Sequence, residues 1–264
     1  MLINSTLNTL RKFELKHIAM IACLLFSTSL ILVSCNLDED PPFLDKTMYD
    51  DPQSAEAARD GIYAAFTHYN AQEQRMFVEN GYSGLMVTRR GGNKLSAVWM
   101  NNVMKLNPNE NVDTQNTWIG IYRIISRSNA AISNSTYDTS STEASQVRIN
   151  DVVGHAFFSR AWGYFSLTRL WGDVPVWTTL PDSDNIHKEK TPSKDVYQQI
   201  IADATQAKAL LNGSAGNGFP KDHAASMLLA KVYMLLATNA DLQADGMSEM
   251  DYWNLAYQEA KSVY

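Results

Sequence analysis

In six segments between residue 50 and the end of the 264-residue chain, apolar residues recur at intervals of three and four, which is the spacing of one face of a helix. The first of these segments begins with Asp51 as the helix N-cap and Pro52 in the first helical position. Another begins in the same way with Thr191 and Pro192. The chain is therefore predicted to be all-α. The predicted helical segments are 50–69, 114–133, 143–171, 191–214, 222–240 and 250–264.

Small residues lie at helical spacing inside these segments, where they let neighbouring helices approach closely. Close packing of successive helices is typical of α-solenoids built from paired helices. The predicted helix starts are unevenly spaced, so a strict repeat of about 34 residues is not present. We therefore predict irregular, tetratricopeptide-like helical repeats with long irregular loops. The small residues concerned are Ala156, Ala161, Ala224, Ala225, Ala230, Ala256 and Ala260.

The N-terminus has the order of residues found in a secretory signal peptide. Arg11, Lys12 and Lys16 precede an apolar run over 18–32, which ends in small residues. The run is shorter than the roughly 20 apolar residues that a membrane-spanning helix needs. Cleavage is therefore favoured over a permanent anchor helix.

The tetrad Leu-Val-Ser-Cys at 32–35 resembles a bacterial lipobox, although serine stands where glycine or alanine is more usual. In a lipobox the cysteine thiol is acylated by lipid, and a thiolate is a good nucleophile for that reaction. Cys35 is the predicted lipidation site. An ordinary signal peptide with an incidental cysteine is the alternative. The predicted divisions of the chain are a lipoprotein signal peptide (1–34), an acidic tether (35–50) and a helical-repeat domain (51–264).

Charge and motif content exclude several classes of function. The formal charge is −6 at pH 7, and removal of residues 1–34 makes the chain more acidic still, which argues against a nucleic-acid partner. No G-x-S-x-G, H-E-x-x-H or P-loop motif is present, and the histidines are scattered. The sequence therefore predicts no catalytic residue, no metal site and no cofactor. A glycosidase would need two carboxylates at a set separation, and none lies in a recognisable catalytic context.

The segment 157–177, FFSRAWGYFSLTRLWGDVPVW, resembles the signature of the SusD/RagB family, R-A-x-x-Y-F-x-L-x-x-x-x-G-D-V-P. The start CNLDEDPP, the helix WIGIYRIISRSNAAI and two later helices are also similar to that family. The resemblance extends in order over the whole mature chain. The matching signature positions are Arg160, Ala161, Tyr164, Phe165, Leu167, Gly172, Asp173, Val174 and Pro175.

Four of these positions are predicted to be structural. Arg160 lies on an otherwise apolar face, so it should pair with a carboxylate or with carbonyls at a helix end. Gly172 can take a backbone conformation that ends a helix, Asp173 can bond the backbone of its own turn, and Pro175 prevents the helix from resuming. Tyr164, Phe165 and Trp171 are expected in the core.

The resemblance implies a surface-exposed lipoprotein of the outer membrane that is held by its lipid anchor and faces the cell exterior. Such a protein captures a nutrient, most often a glycan or oligosaccharide, and delivers it to a TonB-dependent transporter without breaking a bond. Family members are longer than this chain, so the resemblance also implies that a C-terminal region is missing. A lipid-anchored helical-repeat scaffold that binds only protein is the alternative.

Sugar capture needs aromatic faces together with side chains that hydrogen bond to hydroxyl groups. The segment 79–113, which we call the excursion, lacks helical periodicity and is predicted to be a long irregular loop. Family members place binding residues in loops of this kind. Trp99 could instead cover the helical core, and Trp177 and Asp182 are secondary candidates. The predicted ligand-binding residues of the excursion are Arg89, Arg90, Trp99, Asn101 and Asn102.

Overall fold

The computed structural model describes residues 49–67, 112–181 and 187–264. These residues form six α-helices and contain no β-strand beyond one isolated bridge. None of these helices is both long and apolar enough to cross a bilayer. The helices are α1 (Pro52–Thr67), α2 (Val112–Asn134), α3 (Ala144–Trp171), α4 (Ser193–Leu210), α5 (Asp222–Ala237) and α6 (Glu249–Lys261).

Side chains that are close by in the sequence cap the starts of α1 and α6. The backbone N–H of Ser54 donates to Oδ2 of Asp51 at 2.9 Å, so Asp51 caps α1 as predicted. The hydrogen bonds from Ser54 also lower the pKa of the Asp51 carboxyl. At the start of α6, Ser248 and Asp251 form a reciprocal capping box.

Helices that follow one another in the chain pack together, because α2 contacts α3, α3 contacts α4, α4 contacts α5 and α5 contacts α6. In addition, α1 contacts both α2 and α3. Helix α3 is buried along most of its length because other helices surround it, and it is therefore apolar on more than one face. The all-α prediction is confirmed, and the packing order is that of successive helical repeats.

A glycine allows a close approach between α3 and the end of α4. A Cβ atom added to Gly154 would lie 2.9 Å from the backbone nitrogen of Leu211 and 3.1 Å from the carbonyl carbon of Leu210. Backbone atoms cannot move aside as the end of a flexible side chain can, so a larger residue does not fit here. The predicted contact residues Ala156 and Ala161 of α3 are also fully buried.

The end of α3 leads into an extended stretch of chain. Gly172 has a φ of +72°, which favours glycine, and its N–H donates to the carbonyl of Thr168. Val174 and Thr191 then form an isolated antiparallel bridge, with N–O distances of 3.3 and 2.9 Å. This bridge brings the start of α4 beside the end of α3.

Two predictions about this region are wrong. Oδ1 of Asp173 does not bond its own turn; it accepts hydrogen bonds from the backbone N–H and the hydroxyl of Ser193, both at 2.8 Å. Helix α4 therefore begins at Ser193, with Pro192 before it rather than in its first turn. Thr191, which is held in the bridge, does not cap the helix, because Asp173 supplies the cap from 20 residues away.

A buried polar cluster joins α1, α3 and the loop after α4. Three backbone N–H groups of loop 212–215 donate to the Asp151 carboxylate at 2.9, 3.0 and 2.8 Å. Nε2 of the fully buried His155 lies 3.5 Å from Oδ2 of Asp151, which is an electrostatic contact longer than a usual hydrogen bond. The hydroxyl of Tyr63 lies 2.8 Å from Nδ1 of His155. The cluster therefore fastens the loop and α1 to the central helix.

Candidate functional site

Side chains of α2 and α3 hold the chain that leaves α3, residues 174–181, which we call the exit segment. The hydroxyl of Tyr164 donates to the carbonyl of Trp177 at 2.8 Å and accepts from the Trp177 N–H at 2.7 Å. The hydroxyl of Tyr122 donates to the carbonyl of Pro175 at 2.7 Å. Beyond the single bridge at Val174, these side chains satisfy backbone groups of the exit segment, and they fix the position of Trp177.

Arg160 supplies the central support of the exit segment. Its Nε and Nη2 atoms donate to both carboxylate oxygens of Asp203 at 2.8 and 2.7 Å, and both side chains are buried. Its Nη1 donates to Oδ1 of Asn129 at 2.8 Å and to the carbonyl of Thr178 at 2.9 Å. Arg160 thus has a carboxylate partner, and the fork geometry of the guanidinium connects α2, α4 and the exit segment.

An aromatic hollow of about 380 Å³ lies between α2 and the exit segment. The rings of Trp118 and Tyr122 lie 4.8 Å apart, and the ring of Trp177 meets that of Tyr122 edge-on at 5.6 Å. The ring of Trp171 meets that of Trp118 edge-on, with the ring centres 5.2 Å apart. The residues that line the aromatic hollow are Trp118, Ile119, Tyr122, Ile125, Ser126, Asn129, Trp177 and Pro181.

The chemistry of the aromatic hollow is neutral, because none of the residues that line it carries a charge. The Tyr122 hydroxyl is occupied by Pro175, and burial raises the pKa of Tyr122, which keeps the phenol protonated. The Asn129 amide donates to the carbonyls of Trp177 and Thr179 at 2.9 and 3.0 Å. The hollow therefore offers aromatic faces for stacking and the exposed Ser126 for hydrogen bonding. Its described lining residues include no carboxylate, histidine, lysine or cysteine.

The predicted ligand-binding residues of the excursion, Arg89, Arg90, Trp99, Asn101 and Asn102, lie outside the described residues, as do Cys35 and Asp182. Trp177, a secondary candidate in the sequence, lines the aromatic hollow. Sequence reasoning assigned Trp118 and Tyr122 only to a helix face. Their spacing of four residues, which puts two aromatic rings side by side on a helix, is the signal that could have identified them. Within the described ranges, no group of three or more His, Cys, Asp or Glu residues is placed to hold a metal ion.

Comparison with known proteins gives a consistent result. Residues 37–234 match the model of the SusD-like family described as starch-binding and associating with the outer membrane. SusD-like protein P2 of Formosa agariphila is 35% identical over 129 residues, which cover 48% of this chain and 24% of that protein. A SusD-like protein of Bacteroides ovatus is 28% identical over 224 residues, which cover 79% of this chain and 38% of that protein.

Solved structures share the fold. A crystal structure with xylogluco-oligosaccharide matches with a TM-score of 0.59 at 24% identity, covering 80% of this chain and 40% of that one. A SusD superfamily protein of Bacteroides thetaiotaomicron matches with a TM-score of 0.57 at 20% identity, covering 81% and 46%. These neighbours have tetratricopeptide-like helical folds, so the predicted fold class is confirmed. The chain spans less than half the length of these relatives and neighbours.

Proposed function

This chain belongs to the SusD-like family, and from that premise we propose that it captures a glycan or oligosaccharide at the bacterial surface and delivers it unchanged to a TonB-dependent transporter. The family description, starch-binding and associating with the outer membrane, supports both the class of ligand and the membrane. A structural neighbour was crystallised with a xylogluco-oligosaccharide, which supports a glycan as the cargo. The proposed role is capture without catalysis, and the aromatic hollow supplies groups suited to binding.

Attachment to the membrane is proposed to depend on Cys35. The acidic chain does not adhere to anionic lipid by itself, whereas buried acyl chains contribute about 0.8 kcal/mol per CH₂ group. The acidic tether that follows the cysteine would let the helical domain stand clear of the membrane, with its ligand site toward the cell exterior.

The anchor is tested by Cys35→Ala in the producing bacterium. We expect the variant to lose a metabolically incorporated palmitate label and to leave the outer-membrane fraction, with Cys23→Ala as the matched control that keeps both. Retention of the label by Cys35→Ala would show that the lipid is attached elsewhere. Protease applied to intact cells then reports whether the helical domain faces outward.

The observation that supports glycan capture most directly is the aromatic hollow. A pyranose ring presents apolar C–H faces and hydroxyl edges, so it fits a site with exposed aromatic faces and neutral hydrogen-bonding groups. The three rings of Trp118, Tyr122 and Trp177 are held by surrounding bonds and contacts before any ligand arrives, which lowers the entropy lost on binding. The residues of the excursion stay proposed as a further part of the ligand site. Trp99 would supply an aromatic face, and the hydrogen-bonding groups would be Arg89, Arg90, Asn101 and Asn102.

We expect Trp177→Ala to weaken binding of a neutral oligosaccharide about tenfold or more, because truncating an aromatic anchor at a binding site costs about 2 kcal/mol. A glycan array first selects the tightest neutral ligand of the wild type, and titration calorimetry then compares the variants. Trp253→Ala is the matched control, since Trp253 is partly exposed on α6 and does not line the hollow.

The possible results separate the alternatives. Unchanged affinity in Trp177→Ala together with lost affinity in Trp99→Ala would move the site to the excursion 79–113. A wild type that binds no oligosaccharide of the array, but does bind a protein of the same membrane, would replace glycan capture by the scaffold function.

A further inference from the structure

A second cavity, of about 410 Å³, lies between α3 and α5 and differs from the aromatic hollow in carrying positive charge. Its volume falls within the roughly 300–1,000 Å³ range typical of small-ligand pockets. Lys231 belongs to α5, whereas Arg169 belongs to the last turn of α3. The residues that line this cationic cavity are Trp162, Phe165, Arg169, Leu228, Lys231 and Leu235.

The two positive charges of the cavity have no acidic partner among the described residues. Other cations of this part of the chain do pair with carboxylates, for example Arg160 with Asp203 and Lys208 with Glu259. A cation in the last turn of a helix is stabilised by the helix dipole, which accounts for Arg169 but not for Lys231 in the middle of α5. Both side chains are exposed, so water solvates them and neither needs a partner. The feature that favours an anion is that two cations from different helices lie over one cavity.

The geometry of Arg169 suits a carboxylate. Its guanidinium carbon lies 5.4 Å from the centre of the Phe165 ring, so the planar group is supported from one side by an aromatic neighbour. A guanidinium carries its N–H donors in a planar fork, and two of them can make parallel hydrogen bonds that match the two oxygens of a carboxylate. Lys231 adds a second, mobile positive charge at the same cavity.

The rest of the cavity is apolar. Of its apolar lining residues, Phe165 and Leu228 are almost fully buried, and Trp162 and Leu235 are partly buried. A small hydrophilic anion would leave this apolar surface in contact with water, whereas a wholly apolar ligand would leave the two cations without a counter-charge. The cavity therefore matches a ligand that carries one carboxylate beside an apolar face.

We propose that the cationic cavity binds a carboxylate-bearing sugar, that is, a uronic acid residue of an oligosaccharide. A uronic acid combines a carboxylate with the C–H face of a pyranose ring, so each half of the ligand meets the matching half of the cavity. The choice of a sugar to carry the carboxylate rests on the proposed function. The chain would then hold acidic residues of a mixed glycan at this cavity and neutral residues at the aromatic hollow.

The test is titration calorimetry of the full chain with trigalacturonic acid and with a neutral trisaccharide. In the double variant Arg169→Gln and Lys231→Gln, we expect trigalacturonic acid to bind about tenfold more weakly or worse, because charge-assisted hydrogen bonds are lost. Arg123→Gln is the matched control, since Arg123 is an exposed cation of α2 outside the cavity. Arg123→Gln should leave the affinity for trigalacturonic acid unchanged. Arg169→Lys should lower that affinity in part, because lysine lacks the planar, two-pronged donor group of arginine. Thermal unfolding checks that all variants are folded.

The proposal would be overturned if the wild type did not bind trigalacturonic acid, if the double variant bound it equally well, or if Arg123→Gln caused an equal loss. Trp177→Ala keeps this proposal separate from the proposed function. If Trp177→Ala abolishes binding of the acidic and the neutral ligand alike, the uronic acid lies in the aromatic hollow, and the cationic cavity is not its site. If dodecanoate displaces trigalacturonic acid and binds more tightly, the carboxylate belongs to a lipid rather than to a sugar.

Discussion

Replacing Arg160 by leucine is expected to lower the free energy of unfolding by about 3–5 kcal/mol, because one partner of a buried ion pair is removed. The substitution leaves the carboxylate of Asp203 buried without its bidentate partner, and it also removes the bonds to Asn129 and Thr178. Urea unfolding of both proteins, followed by circular dichroism at pH 7, measures the difference.

Matched variants show whether the buried charge is the cause. The double variant Arg160→Leu and Asp203→Leu should recover much of the lost stability, since a buried ion pair can often be replaced by apolar residues at little cost. Arg148→Gln breaks an ion pair with Glu56 in which the arginine is exposed, and it should change stability far less. An Arg160→Leu protein as stable as the Arg148→Gln protein would contradict the central role of Arg160.

The pH dependence of the same variant gives a second check. Burial raises the pKa of the Asp203 carboxyl, and the hydrogen bonds from Arg160 oppose that shift. Without Arg160, Asp203 should take up a proton in the folded state at a higher pH than in the unfolded state, whose ordinary pKa is about 3.9. The deficit of Arg160→Leu relative to the wild type should therefore shrink as the pH is lowered toward 4.

Local sequence patterns predicted most of the helical structure because a helix is determined by residues close together in the chain. Asp51 caps α1, and the turn at Gly172 ends α3, as the sequence indicated. The start of α4 was predicted wrongly because its cap, Asp173, comes from the other side of a loop. Which of several nearby polar residues caps a helix depends on the bridge between Val174 and Thr191, and a local pattern does not contain that pairing.

The candidate site was predicted less well than the fold, also for a physical reason. A helical period shows that Trp118 and Tyr122 lie on one face of α2, but not whether other elements cover that face completely. The aromatic hollow exists because the exit segment, held by Arg160 and Tyr164, stands beside α2 and covers it only in part. For Trp177 the sequence offers only one signal, which is its place at the end of the family signature.

Asp151→Ala is expected to lower the free energy of unfolding by about 3 kcal/mol, because hydrogen bonds to a charged group are worth about 1.5–3 kcal/mol each and are not additive. The carboxylate accepts three backbone N–H groups of loop 212–215, and it also lies beside the buried His155. Urea unfolding at pH 7 measures the loss. Asp138→Asn is the control, since Asp138 caps only an exposed turn at Ser140 and should matter far less.

Acid should remove the same contribution from the wild type. Burial acts to raise the pKa of Asp151, but His155 and the N–H groups of Asn212 and Ala215 outweigh it and hold the pKa below its usual range. A carboxyl with a lowered pKa in the folded state stabilises the protein above its unfolded pKa of about 3.9, and this stability is lost as the pH falls further. The difference in stability between the wild type and Asp151→Asn should therefore decrease as the pH falls below about 4. A difference that stays constant down to pH 3 would mean that Asp151 acts through its shape and not through its charge.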